Sequence, residues 1–212
     1  MIRRVLATMM VVVTAAVVSA QAPTVIDDFE SGSLKGWSVE NRGVGSWYVY
    51  TNGKTPPNPG HSDPIVPFSV PNPPQGKFGA VTDMDGPGTR FLSRTLTLNG
   101  RYRLRMSVYY SNGGPRGFVS ANTLAVDGEP NQQFRIDIMS ASAAIDSLAP
   151  ADIKANVFHT SPGDPAERAP SDVTADLSSL NGQTVKLRLV TADNSGPLRA
   201  GVDNIRLEPI GK

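Results

Sequence analysis

Apolar and polar residues alternate most regularly over 101–110. Tyr102, Leu104, Met106, Val108 and Tyr110 point one way, and Arg101, Arg103, Arg105 and Ser107 the other. A period of two is that of a β-strand with one dry and one wet face. The pattern recurs over 133–139, with Phe134, Ile136 and Ile138 inward and Arg135 and Asp137 outward. It returns over 184–191, with Val185, Leu187 and Leu189 on one face. Further strand-like runs fall at 25–30, 37–40, 46–50, 78–82, 89–98, 153–159 and 199–208. Asn99-Gly100, between two such runs, predicts a tight hairpin, and residues 172–180 lead into a second Asn-Gly turn at 181–182. About ten short strands with little helix predict an all-β fold, a two-sheet antiparallel β-sandwich of jelly-roll (galactose-binding-like) type.

The connections are long and rich in turn residues. Residues 55–75 carry eight prolines, which exclude helix and central strand alike and leave an extended surface loop. That loop is either an ordered binding loop or a flexible excursion. Residues 112–131 form a glycine-containing excursion, 140–151 a loop or short helical turn, and 161–171 a loop with Pro162, Pro165 and Pro170. No repeat, heptad or shift in composition separates a second domain.

The amino terminus changes the picture of where the chain works. Arg3 and Arg4 precede an apolar run over 5–18, and Val18-Ser19-Ala20 offers small residues to a signal peptidase. This predicts a signal peptide over 1–20, with a cut after Ala22 as the alternative, and a single domain over 21–212. The run is shorter than the ~20 residues that cross a bilayer, so no membrane insertion is expected after cleavage; an uncleaved anchor is the competing reading. The expected location is secreted or periplasmic, and the expected state a monomer. Loss of Arg3 and Arg4 leaves 18 basic residues against 19 acidic ones, a net charge of −1. Such a balance offers no field for nucleic acid. With no cysteine in the chain, the fold is held without disulfides; a domain of this length can bury a sufficient core by itself, and a metal ion is the other common way to fasten chain ends.

Asp27-Asp28-Phe29-Glu30 places three carboxylates in four positions near one end, and Val202-Asp203-Asn204-Ile205 sets an acid among apolar residues near the other. As a strand, the first segment puts Asp28 and Glu30 on one face and Asp27 and Phe29 on the opposite one. In the last strand Asp203 would share the core-facing side of Ile205 and Leu207, where a lone carboxylate is costly unless paired or metal-bound. Asp28, Glu30 and Asp203, with a backbone carbonyl near Lys77, are therefore the candidate ligands of a structural calcium ion. Acids at a sheet edge that meet water or an arginine are the alternative.

Asp-Phe-Glu, the following Gly36-Trp37 and Val-Asp-Asn-Ile resemble the calcium-bearing jelly rolls of carbohydrate-binding modules and MAM-type adhesion domains. The resemblance implies that Glu30 and Asp203 hold a structural calcium. The segments 76–83, 86–89, 131–138 and 201–204 are more specifically similar to a group of uncharacterised secreted bacterial proteins, which brings no activity with it. The absence of cysteines departs from the MAM pattern.

Sugar recognition needs aromatic faces with amides or charges beside them. Trp47, Tyr48, Tyr50 and Tyr109 supply the former, Arg90, Asn131, Gln132, Gln133 and Arg135 the latter; packing of aromatics across strands and a solvated outer face are the plain alternatives. Catalysis has little to rest on. There is no Gly-x-Ser-x-Gly elbow around Ser62, and His61 and His159, the two histidines, lack zinc-site spacing. Asp83-Met84-Asp85-Gly86 opens like an EF-hand loop, but Arg94 stands where the closing Glu belongs. The expected function is an exported non-catalytic module binding carbohydrate. An envelope domain contacting protein is the first alternative and a glycoside or polysaccharide hydrolase the second.

Overall fold

The computed structural model describes residues 21–51, 71–82 and 86–211. Within them, two antiparallel sheets pack face to face. The first runs β3 (Trp47–Thr51), β4 (Phe78–Thr82), β11 (Leu198–Pro209), β6 (Tyr102–Asn112) and β9 (Glu167–Asp176), with β1 (Thr24–Asp27) also paired to β11. The second runs β2 (Ser38–Gly43), β5 (Gly88–Thr97), β10 (Thr184–Asp193), β7 (Gln132–Ser140) and β8 (Ile153–His159). The only helix described is a single 3-10 turn, Ser178–Leu180. The all-β sandwich expected from the alternation is what the chain forms. The expected leader, the EF-hand-like residues 83–85, His61, Ser62 and most of the proline-rich loop lie outside the described residues.

The predicted inward faces meet as predicted. Leu104, Met106, Val108 and Tyr110 of β6 pack against Phe134, Ile136 and Ile138 of β7 and Val185, Leu187 and Leu189 of β10 in one buried cluster. Removal of this apolar area from water is the main favourable term in folding.

Two connections differ from expectation. Asn99-Gly100 is not a hairpin, because β5 and β6 lie in different sheets. Both strands address the same core from opposite sides, so the turn arches over the end of the sandwich. The Asn181-Gly182 turn arches beside it, and the two are tied by Gly182 N–H to Leu98 O at 2.6 Å and Leu98 N–H to Gln183 O at 2.9 Å. The second difference is β9, which starts inside the expected 161–171 loop and contains Pro170. An outermost strand with an irregular register tolerates a missing donor.

The outer face of the second sheet is roofed by two loops. Leu124 and, less deeply, Val126 of the first, with Ile145 and Leu148 of the second, pack on Phe91, Val190 and Ala192. Buried polar side chains of the sheet hold the loop backbones in place. Arg188 donates to Ile145 O (2.6 Å) and Ser147 O (2.9 Å). Asn131 donates to Thr123 O and Ala125 O, and Gln133 to Thr123 O.

Candidate functional site

The acids of the two chain ends come to one place, by a different route from that expected. β1 stops at Asp27, because Phe29 takes a left-handed conformation, φ 56°, and drops into the core. Asp27 Oδ1 accepts the Phe29 N–H at 2.8 Å and stabilises this turn. Its Oδ2 takes Trp37 Nε1–H at 2.7 Å and Arg94 Nη1–H at 3.2 Å. Asp28 and Glu30 therefore flank a tight turn and do not share a strand face.

Asp203 corrects the expectation in a second way. Between Asp203 and Arg206 the chain takes three steps while its partner takes two, from Ser107 to Arg105. Asn204, φ 51°, forms the bulge. The extra residue reverses the alternation, so Val202 and Ile205 both enter the core. Asp203 consequently stands on the outer face, opposite Ser107, and not with Ile205 and Leu207. It is buried there all the same, under the segment 75–78.

That segment joins the two ends. Asp203 Oδ2 accepts the Gln75 N–H at 2.8 Å, and Glu30 Oε1 accepts those of Lys77 (2.8 Å) and Phe78 (3.0 Å). Gln75 and Lys77 are two residues apart, a reach of at most about 7 Å. Gly76 between them has φ 63°, and a Cβ there would lie 2.2 Å from Glu30 Oε1, so this position demands glycine. Lys77 thus meets the acids through its amide N–H. Burial pushes the Asp203 carboxyl up to about 6, and the charges of Glu30 and Asp28 push the same way against the Gln75 and Asn204 amides. Glu30 is held below its usual range by the Phe78 and Lys77 amides. Among the described residues no three His, Asp or Glu side chains form a metal cage by themselves. A cation held by this oxygen-only set would need backbone carbonyls as well.

The expected sugar platform is mostly interior. Trp47 packs on Phe134 in the core and donates from Nε1 to Arg90 O at 3.1 Å. Arg90 is wholly buried and donates to Asp193 at 2.8 Å. Asn131, Gln132 and Gln133 are buried, with their amide nitrogens donating to neighbouring backbone and side chains. Tyr48 is half-buried. Tyr50 and Tyr109 are buried on the outer face of the first sheet, where Tyr109 OH donates to Tyr50 OH at 2.6 Å and Tyr50 OH to Pro71 O at 3.0 Å. The Tyr109 ring lies across Gly201, where a Cβ would come within 2.0 Å of it. Tyr109 and Arg199 also border a cleft of about 200 Å³ with Arg168 and Pro170. Burial raises Tyr50, Tyr109 and Tyr110 above the ordinary phenol value of about 10. Alkaline titration of the native protein should therefore stop short of five phenolates, the last appearing only with unfolding; ionisation of all five tyrosines near pH 10 in the folded state would contradict this packing.

Arg135 differs from the rest of that set. It faces outward on β7 in a hollow of about 660 Å³ where the two roofing loops part. Ser120 and Asn122 contribute from one loop, Leu148 and Pro150 from the other, and His159 and Ser161 from the end of β8. Ligand sites fall in this size range, about 300–1,000 Å³. Beneath it runs a connected polar chain. His159 Nδ1 meets Asn156 Oδ1 at 2.6 Å, Asn156 Nδ2 donates to Asp137 Oδ1 at 2.7 Å, and Arg188 donates to Asp137 Oδ2 at 2.7 Å. Of these residues the sequence reading singled out only Arg135 as a ligand contact. The others are brought beside it by the antiparallel pairing of β7 and β8, which sets Arg135 against His159 and Asp137 against Asn156; the long 141–152 connection between these strands gave no such signal in the sequence.

No family model and no curated protein matches the chain. Among solved structures it is similar to the TmCBM61 module in complex with β-1,4-galactotriose, at 13% identity over 86% of this chain and 94% of that one, with a TM-score of 0.47. It is similar to the K3 cleaved adhesin domain of Lys-gingipain from Porphyromonas gingivalis, at 12% over 89% and 100%, with a TM-score of 0.49. The family 11 carbohydrate-binding module from Clostridium thermocellum, in complex with a β-1,3-1,4-mixed-linked tetrasaccharide, stands at 13% over 90% and 98%, with a TM-score of 0.42. At these identities and TM-scores, none of the three assigns a ligand or a residue to this chain.

Proposed function

We propose that this chain is an exported, non-catalytic binding module that takes carbohydrate in the hollow around Arg135. The observation that carries the reading is the hollow itself, of ligand size, walled by two loops that buried side chains hold in place. Hydroxyl, amide, guanidinium and imidazole groups converge on it, the groups that meet sugar hydroxyls. None of its lining residues is a carboxylate, so a facing acid pair for glycoside hydrolysis has no place in it. Docking to an envelope protein draws less support, because Val25 and Val39 are the only large apolar side chains described as exposed. The resemblance in the terminal acidic motifs is the further support for carbohydrate.

A glycan array tests this with the parent protein and Ala149→Trp. Ala149 is exposed on the hollow wall, so an indole there fills space without entering the core. The parent should bind at least one glycan and the variant should lose it. A parent that binds none, or a variant that binds as the parent does, contradicts the proposal.

The same module is proposed to hold a structural calcium through Asp28, Glu30 and Asp203. The support is the donor chemistry: Asp203 is a buried acid with no ion-pair partner among the described residues, pushed up by that burial and, to a smaller extent, by Glu30 and Asp28. A hard divalent cation supplies the missing positive charge and accepts such oxygens. The side chains' part is to bring both ends of the chain to the 75–78 segment.

A further inference from the structure

The hollow is lined by a guanidinium and an imidazole, Arg135 and His159, and by no carboxylate. Arg188, fully buried, and Asn156 each take one oxygen of Asp137 at 2.7 Å. Arg135 reaches the same carboxylate only at 3.4 Å, from Nε and from Nη2, the long limit of a hydrogen bond. One carboxylate thus serves two guanidiniums, and Arg188 uses most of it. None of the neighbouring acids lines the hollow: Asp146 pairs with Arg42 at 2.5 Å and also faces Arg188, Asp152 accepts from the Ser147 hydroxyl at 2.6 Å, and Asp164 accepts from the Ser161 amide at 2.8 Å. Arg135 has a side chain only 17% exposed, where water and salt screen its charge less than at an open surface.

His159 stands directly opposite Arg135 in the β7–β8 register. Asn156 Nδ2 donates to Asp137 Oδ1 and Phe158 O, so its Oδ1 is an acceptor and His159 Nδ1 carries the hydrogen. That leaves Nε2 as the ring atom that meets a ligand. A planar guanidinium and a fixed imidazole therefore face one hollow with no acid lining it.

We infer that this hollow selects saccharides bearing an oxyanion, a carboxylate or a sulfate, which Arg135 engages through its fork and His159 through Nε2. Arginine binds such groups bidentately, with charge on both sides of the bond. The inference rests on the hollow being the saccharide site and adds the class of saccharide.

An array that carries each saccharide in neutral, carboxylated and sulfated form reads the result, with the parent, Arg135→Gln and Arg135→Lys compared. The acidic members should bind about tenfold or more above their neutral counterparts, and the carboxylated and sulfated arms show which anion is preferred. Arg135→Gln should bring the acidic signal down to the neutral level, with Arg135→Lys, a point charge without the fork, in between. Thermal melting shows that both variants are folded. Equal binding of neutral and acidic forms overturns this inference and leaves the carbohydrate reading standing. An acidic preference that survives Arg135→Gln overturns the assignment to this hollow. Binding to no glycan at all overturns both readings.

Discussion

Asp137→Ala is expected to destabilise the fold by about 3–5 kcal/mol, the range for removing one partner of a buried ion pair. Both side chains of the Arg188–Asp137 pair are fully buried, so the variant strands a guanidinium with no water to replace the carboxylate. The loss spreads, because Arg188 also carries the carbonyls of Ile145 and Ser147, and Asn156 is tethered to the other oxygen of Asp137. For a domain of this length each kcal/mol moves the melting midpoint by about 2–4 °C, giving a fall of roughly 6–20 °C. Circular dichroism measures it directly. Adding Arg188→Met should restore part of the loss, because an apolar side chain in place of a stranded charge is tolerated far better. A fall of less than about 2 °C in the single variant, or a double variant that melts at the sum of both losses, would show that the pair does not support the loop.

The alternation of apolar residues revealed the two-sheet core, since a period of two in β6, β7 and β10 says which side chains are dry whatever the topology. Sheet membership was not legible in the same way. Asn99-Gly100 encodes a reversal of direction, and only the packing of both strands on one core decides that the reversal bridges two sheets. Asp203 shows a second limit. Its acidity and its apolar neighbours marked it as special, but parity was counted through Asn204 without the bulge, which turned the side chain to the wrong face. The amides of Asn131 and Gln133 read as ligand contacts because a polar residue on an outward position looks solvated. The long loop before them was the unread signal, since a loop carrying Leu124 and Val126 must lie on something apolar, and its carbonyls then need donors.

Calcium binding at the proposed site is the second large effect expected. At a calcium concentration about a hundred times the dissociation constant, binding to the native state alone adds about 2.7 kcal/mol, which is roughly 5–11 °C in melting midpoint for this length. The gain is expected to depend on Asp203, the buried member of the three acids, more than on Asp28, which is only half-buried. It also depends on Gly76, whose missing Cβ lets Glu30 reach the amides of Lys77 and Phe78. The most direct measurement is thermal melting of residues 21–212 and of their Asp203→Ala variant, each in calcium and in chelator. The account predicts that the parent melts higher in calcium and falls on chelation, while the variant melts at one temperature in both. Parent and variant melting alike, both indifferent to chelator, would mean that the acids at the two ends of the chain do not share a cation.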